Sequence, residues 1–287
     1  MSLLRDYMSR DMERKGLAPR TRTQYIAAIC HMVDFLGRPP VLLCPNDIRA
    51  WDDEMHRRGR GPDWLGVHVA ALRFLYTRTL PRPEMVSFLS SPKHHPKWPS
   101  VLSLAEAHLL LGTLRERRYH ALYSLIFDTG LRISEALALK ARDLDHARQV
   151  IHVRHGKGDK ERQVKLGETL YQLLRSYWRE VRMKGPHPEL LSKDSLLFAG
   201  ASGAPMSLGG ARKALKLATR EAGITKLITP HTFRHSYATQ QLETGTELPV
   251  VQAQLGHARI SSTQIYLHVS TRLILQAPCP LDALPPR

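Results

Sequence analysis

Four residues toward the C-terminal end have types and spacing suited to a phosphate ester: His231, Arg234, His257 and Tyr266. Arginine and histidine donate hydrogen bonds to phosphate oxygens. A tyrosine hydroxyl can attack phosphorus and hold a covalent intermediate. In Thr229-Pro230-His231-Thr232-Phe233-Arg234 the threonine hydroxyl is suited to cap a helix. Pro230 fits the first helical position, where an N–H is not needed. His231 and Arg234 then stand three apart and share one face. Leu255-Gly256-His257 follows a second apolar run, Val250 to Leu255, and Tyr266 stands between Ile265 and Leu267. Taken alone, each feature has a plain structural reading. An H-x-x-R pair is usually a helix surface pair, and a tyrosine between aliphatic residues is usually core.

A fifth candidate lies in Asp128-Thr129-Gly130-Leu131-Arg132-Ile133-Ser134-Glu135. The glycine breaks one helix and a new one is expected from about Leu131. That puts Arg132 in a first helical turn, where free N–H groups and the dipole favour an anion. Glu135, one turn on, can orient Arg132; the alternative is a simple surface ion pair. Val150 to Val153 is β-rich, Gly156-Lys157-Gly158-Asp159-Lys160 turns, and Arg162 to Leu166 alternates, which predicts a hairpin with a basic tip.

Together these segments resemble the tyrosine recombinases, the phage-integrase family. The resemblance is carried by T-G-L-R-I-S-E, G-K-G-D-K-E-R, H-T-F-R, L-G-H and Y-L-H-V, and it covers nearly all of residues 100 to 270. It implies a catalytic set, in chain order, of Arg132, Lys157, His231, Arg234, His257 and Tyr266. Tyr266 would be the nucleophile, leaving a 3′-phosphotyrosine and a free 5′-hydroxyl. Arg132 and Arg234 would clamp the non-bridging oxygens. His231 would act as base or proton relay, Lys157 as the acid for the departing oxygen, and His257 as a further donor to the phosphate. The covalent link conserves the phosphodiester energy, so neither metal, ATP nor another cofactor is expected. The implied activity is site-specific DNA recombination, as in an integrase of a mobile element. The implied partners are double-stranded DNA and a homo-tetramer on two paired sites, with the need for a partner recombinase left open. A type IB topoisomerase-like relaxing enzyme and a non-catalytic DNA-binding regulator remain as alternatives. Ala222-Gly223-Ile224-Thr225-Lys226 and the terminal P-L-D-A-L-P-P look most like integron integrases. The length from Lys157 to His231 matches Xer-type recombinases better.

The elements that must position these residues are mostly helical. With 287 residues and 43% apolar content the chain can build two compact domains. The expected class is mainly α with a small β-sheet: an N-terminal helical, SAM-like core-binding domain over residues 1–80, a proline-rich linker over 81–99, and an α+β catalytic domain with its C-terminal tail over 100–287. In the first domain, helices are expected from Leu3 to Lys15 and from Pro19 to Leu36. A third runs from a cap at Asn46 or Asp47 to Met55, and a fourth from a cap at Asp63. Ser103 and Glu106 have capping-box spacing. The segment from Ser207 to Ala222, with Arg212, Lys213, Lys216 and Arg220, predicts a basic helix that either lies on a phosphate backbone or faces water. Leu273-Ile274-Leu275 in the tail could pack on its own protomer or on a neighbour.

Charge narrows the partner class. Lys and Arg total 42 against 26 Asp and Glu, a formal charge of +16, which points to a polyanion and to nucleic acid first. A membrane surface fits less well, since no basic amphipathic helix with a Trp/Leu face is apparent. Cys30, Cys44 and Cys279 are far apart and form no C-x-x-C, so neither a disulfide frame nor a zinc knuckle is expected. The start of the chain has no apolar core of signal-peptide length, and no run is long enough to span a bilayer. A cytoplasmic location is the expectation. Of the 15 histidines, His94, His95 and His187 sit among prolines, and no H-E-x-x-H occurs, so no metal site is expected.

Overall fold

The computed structural model describes residues 2–92, 99–154, 161–183, 191–200, 204–257, 261–264 and 266. It divides into two compact units, Met1–Pro96 and Lys97–Arg287. As expected, the protein is mainly helical with one small sheet. Among the described residues no helix is long and apolar enough to cross a membrane.

The first unit packs four helices, α1 (Ser2–Arg14), α2 (Pro19–Leu36), α3 (Pro45–Arg57) and α4 (Pro62–Phe74). Pro19 opens α2 and Gly37 closes it in the left-handed conformation (φ 64°), with its N–H on the Val33 carbonyl. Two caps differ from expectation. Cys44 precedes α3, and Asp47 sits one turn inside, accepting the Cys44 backbone N–H at 2.8 Å. Gly61 precedes α4, with Pro62 first and Asp63 within the opening turn. In both cases the proline takes the first helical position and displaces the cap upstream. The core is built from Met8, Met12, Met32, Ile48, Trp51, Met55, Leu72 and Tyr76, all at most 1% exposed. The Tyr76 hydroxyl donates to the Pro40 carbonyl at 2.9 Å, and burial pushes its pKa up to about 12.

Part of the proline-rich stretch expected as a connector belongs to this core. Pro83–Met85 forms a 3₁₀ turn, and Met85, Val86 and Leu89 are buried with the first unit's residues. The prolines shape a turn, while the apolar residues between them supply the packing that holds it. Residues 93–98, with His94 and His95, lie outside the described residues, as do His187 and the apolar tail.

The second unit begins with α5 (Leu104–Thr113), closed at its start by the Ser103–Glu106 capping box that the sequence indicates. Next come α6 (Arg117–Thr129) and the short α7 (Ile133–Ala138). The antiparallel sheet β1 (Leu144–Asp145), β2 (Val150–Val153) and β3 (Arg162–Lys165) follows in the order 1-2-3. The β2–β3 register pairs Ile151 with Val164 and Val153 with Arg162. Buried Ile151, Val153 and Val164 turn toward the helices. The hairpin tip, with Lys157, is outside the described residues. Strand β1 was not expected; two residues leave no readable alternation. The chain then forms α8 (Glu168–Tyr177), α9 (Leu208–Glu221), α10 (Pro230–Glu243), α11 (Leu248–Leu255) and α12 (Ser261–Gln264). Helix α10 is a core helix rather than a surface one. Phe233 stacks on Tyr123 with ring centroids 5.2 Å apart, and the Ser236 hydroxyl accepts the Leu102 N–H at 2.7 Å.

Candidate active site

The site is assembled where α6 hands over to α7, and where α10, α11, α12 and β3 meet that junction. Gly130 ends α6 at φ 65° and carries two demands at once. A Cβ there would lie 2.4 Å from Tyr237 Cδ1 and 2.9 Å from Leu255 Cδ2. Its carbonyl must also stay free to receive Arg234 Nη1 at 2.6 Å. Only glycine supplies the left-handed turn and the clearance together.

Arg132 is the N-cap of α7 rather than a first-turn residue. The extended Arg132 backbone delays the helix by two residues, to Ile133, and Glu135 closes its start as a capping-box acid. The Arg132 backbone N–H and its Nη1 donate to the two Glu135 carboxylate oxygens, each at 2.8 Å. A second arginine grips the same carboxylate: Arg162 Nη2 at 2.7 Å and Nη1 at 3.1 Å. Burial alone would raise the Glu135 pKa, but hydrogen bonds from Arg162 and Arg132 outweigh it and hold the value at about 2. Glu135 is therefore ionised at neutral pH, and its two guanidinium partners leave the cluster with net positive charge.

Arg162 also ties in α11. Its Nε donates to the Gln254 carbonyl at 2.8 Å. Gly256 closes α11 at φ 62°, and a Cβ there would meet the Arg162 side chain at 3.1 Å. The glycine of Leu255-Gly256-His257 thus lets the helix end against the arginine and delivers His257. His257 Nδ1 lies 2.9 Å from the Thr263 hydroxyl, and its carbonyl accepts Gln252 Nε2 at 3.1 Å. Burial first, then Arg234 and Arg132, lowers the His257 pKa to about 4.

Arg234 is 3% exposed. Nη1 donates to Gly130 O and Nη2 to Leu255 O, both at 2.6 Å. Among the described residues no carboxylate pairs with it. A guanidinium has five N–H donors, so three remain. Burial, followed by the charge of Arg132, lowers its pKa to about 10, which still leaves it a cation at neutral pH. His231 lies at an exposed position one turn before it. Packing around the His231 ring, then Arg234, Arg132 and Arg212, lowers that histidine's pKa too.

Tyr266 is 1% exposed, packed with Tyr237, Ala238, Leu242, Val251 and Leu255. Its backbone N–H is held by the Thr263 carbonyl at 3.1 Å. Its hydroxyl is 2.9 Å from His235 Nδ1, and its ring lies nearly parallel to that of His257 at 6.4 Å. Burial raises the phenol pKa, while the nearby Arg234 and Arg132 oppose the rise.

The structure therefore brings Arg132, His231, Arg234, His257 and Tyr266 into one electrostatic neighbourhood, and Lys157 lies outside the described residues. Sequence reasoning missed Arg162, His235 and Thr263. For Arg162 a signal existed: strand alternation places it on the same face as apolar Val164. For His235 the signal was its position four residues after His231, one helical turn away. Among the described residues no group of three or more His, Cys, Asp or Glu could hold a metal ion.

Known proteins resemble the chain over parts of both units. Residues 101–272 match the phage integrase family, and residues 4–84 match the phage integrase N-terminal SAM-like domain. Tyrosine recombinase XerD of Listeria innocua is 33% identical over 283 residues, covering 93% of this chain and 94% of that protein. XerD of Oceanobacillus iheyensis is 38% identical over 224 residues, covering 74% of this chain and 73% of its own. The fold matches the crystal structure of XerH site-specific recombinase bound to palindromic difH substrate in a post-cleavage complex. That likeness has a TM-score of 0.72 at 22% identity, with 88% of this chain and 77% of the other covered. The chain belongs to the phage integrase family and is a tyrosine site-specific recombinase.

Proposed function

We propose that this recombinase cuts and rejoins duplex DNA at a specific site through a 3′-phosphotyrosine on Tyr266, without metal or ATP. The observation that carries the reading is Arg234: a buried cation that, among the described residues, is hydrogen-bonded only to carbonyl oxygens, with Arg132 and the Tyr266 hydroxyl in its field. Such a charge gains most from an anion brought against it. A DNA phosphodiester is that anion, and its attack concentrates further charge on the non-bridging oxygens, where fixed guanidinium donors are most effective. Arg132, oriented by Glu135, and Arg234, oriented by two carbonyls, clamp those oxygens. His257 donates a further hydrogen bond, and His231 at its exposed position contacts the phosphate and exchanges protons with water. Lys157 gives the proton to the departing 5′-oxygen. The 5′-hydroxyl of a second duplex then attacks the phosphotyrosine and completes the exchange. Attack requires either that Tyr266 leave its packed position or that the phosphate enter against it.

The charge of +16 supports DNA as the partner, with most of the affinity in phosphate contacts that weaken steeply with salt. The site-specific recombinase XerH, which has the same fold, is bound to its difH substrate, and this is in keeping with the same partner. Strand exchange between two duplexes calls for four protomers on two paired sites, in the cytoplasm, on a chromosome or mobile element.

The test is covalent trapping. Wild-type protein is mixed with a library of nicked duplexes of randomised sequence, denatured, and the attached DNA is sequenced. A shared motif on the recovered strands is the expected result. Relaxation of supercoiled plasmid with no sequence motif would instead indicate a topoisomerase, and no covalent DNA at all would indicate a regulator.

A further inference from the structure

The Tyr266 hydroxyl already has a hydrogen-bond partner, and it is not one of the six residues read from the sequence. His235 Nδ1 lies 2.9 Å from it, on the turn of α10 that follows His231 and Arg234. We propose that His235 is the proton acceptor for the nucleophile: its bare Nδ1 takes the phenol proton as Tyr266 attacks phosphorus, and returns it when the tyrosyl–phosphate bond is broken. This rests on the phosphotyrosine reading of Tyr266.

Three observations converge on it. A base must lie within hydrogen-bond reach of the proton it removes, and His235 does so already in the DNA-free protein. His231 is displaced from it by one turn, with the two imidazole centroids 6.3 Å apart, and occupies an exposed position. Tyr266 is held on both sides, at its backbone by Thr263 and at its hydroxyl by His235, so the pair is fixed rather than incidental.

The electrostatics fit the direction of transfer. Burial foremost, then His231 and Arg234, brings the His235 pKa down to about 4, so the ring is neutral at physiological pH and one nitrogen is free to accept. The groups that face it are His231 and Arg234 on its own helix, Tyr266 beyond α12, and His257 beyond α11. A phosphate bound between Arg132 and Arg234 adds negative charge beside the ring and raises its basicity at the moment of attack. The step balances. One proton moves from Oη to Nδ1 while the Oη–P bond forms and the P–O5′ bond breaks, the 5′-oxygen taking its proton from the separate acid. On rejoining, the 5′-hydroxyl attacks and gives its proton back to the conjugate base of that acid, the O5′–P bond forms as the Oη–P bond breaks, and the imidazolium returns its proton to Oη.

Two measurements test this. The first needs no DNA: the full chain is labelled with ¹⁵N-histidine and the His235 ring nitrogens are observed at neutral pH, with Tyr266→Phe alongside. The expected result is an Nε2–H tautomer whose unprotonated Nδ1 resonance moves in Tyr266→Phe. A proton on Nδ1, or no response to the substitution, overturns the proposal. The second is single-turnover adduct formation on a nicked duplex recovered by trapping. His235→Phe is expected to slow it by about 100-fold or more, with duplex affinity unchanged. Placing a fluorinated tyrosine of lower phenol pKa at position 266 should restore about ten-fold of that loss, and should not speed wild type comparably. His235→Asn, which keeps an acceptor but not a base, should remain slow while folding normally. Adduct formation by His235→Phe at the wild-type rate, or no rescue by the fluorinated phenol, overturns the proposal. Should wild type itself form no adduct while the tautomer is as expected, it is the phosphotyrosine reading that fails, and the base assignment fails with it.

Discussion

Surface arginines of the first compact unit and the site arginines of the second are used in opposite ways. In Met1–Pro96 several arginines meet carboxylates directly near the surface: Arg57 and Arg58 with Glu54, Arg38 with Asp47, Arg22 with Glu13. Exposed pairs of this kind contribute ~0–1 kcal/mol and are screened by salt. In Lys97–Arg287, Arg234 is buried against two carbonyls, and Arg132 shares one carboxylate with Arg162. The histidines differ in the same sense. His68 of the first unit stacks on Trp64 at 3.5 Å and its Nδ1 bonds to the Trp64 carbonyl, so its ring is closed by its own helix. His235 of the second bonds to a hydroxyl with chemistry of its own. A cation neutralised within its own fold has little left for a ligand. A cation held by neutral dipoles keeps its field for an incoming anion.

Removing one arginine from each unit tests this contrast most strongly. Arg234→Ala should slow covalent adduct formation by about 10³-fold, the cost typical of losing a fixed donor to a transition-state oxyanion. Arg58→Ala should leave the rate within roughly twofold, as expected of an exposed pair. Both are read in single-turnover assays at saturating protein; similar losses from the two would erase the distinction.

A glycine pair asks the same question of the backbone. Gly37 and Gly130 share a left-handed conformation, at φ 64° and 65°, but nothing lies within 4 Å of a Cβ at Gly37. Gly37→Ala should cost only the conformational strain, ~1–2 kcal/mol. Gly130→Ala adds overlap with Tyr237 and Leu255, a further ~1–3 kcal/mol. Urea unfolding followed separately for each unit checks the difference, and equal losses would mean that the α6–α7 junction yields more easily than its packing implies.

Arg162→Lys sharpens the reading of the site's support. Lysine keeps the charge but cannot fork across the Glu135 carboxylate while reaching Gln254. Misplacing Arg132 and His257 slightly should slow adduct formation by about 10–100-fold with DNA affinity preserved. A wild-type rate would show that charge alone suffices there.

The smallest expected effect is on pH. His235 and His257 are both held near about 4, against an ordinary 6.5. Between those values the unfolded chain binds protons that the fold excludes, so stability of the second unit rises with pH across this window and is lost as pH falls from 6.5 toward 4. The second unit's Tm should fall by several degrees over that range, as ~1 kcal/mol shifts Tm by about 2–4 °C in a domain of this size. His235→Phe should flatten the fall, and an unchanged slope would contradict the burial of a neutral ring.

Much of the fold was legible because its signals are local. Pro19 and Leu36 bound α2, Ser103 and Glu106 cap α5, and Thr229-Pro230 opens α10, all within one or two turns of chain. The order of the family motifs likewise singled out five described residues that the fold brings into one neighbourhood. The links that organise them were not legible. Arg234 reaches the carbonyl of Gly130, and Arg162 of β3 reaches Glu135 of α7, across separations that no helical or strand period encodes. The reading of 81–99 as a connector failed in part for a related reason. Proline density predicts the absence of helix but says nothing about whether Met85, Val86 and Leu89 find a core to enter.

The central claim is that one phosphorus atom is attacked by the Tyr266 hydroxyl between two fixed guanidinium groups. Wild-type protein trapped on a nicked duplex, digested with nuclease and protease and mapped by mass spectrometry tests it directly. The expected result is a nucleotide linked through phosphate to the peptide containing Tyr266, absent from Tyr266→Phe. A nucleotide on any other residue, or an adduct that persists in Tyr266→Phe, would contradict it.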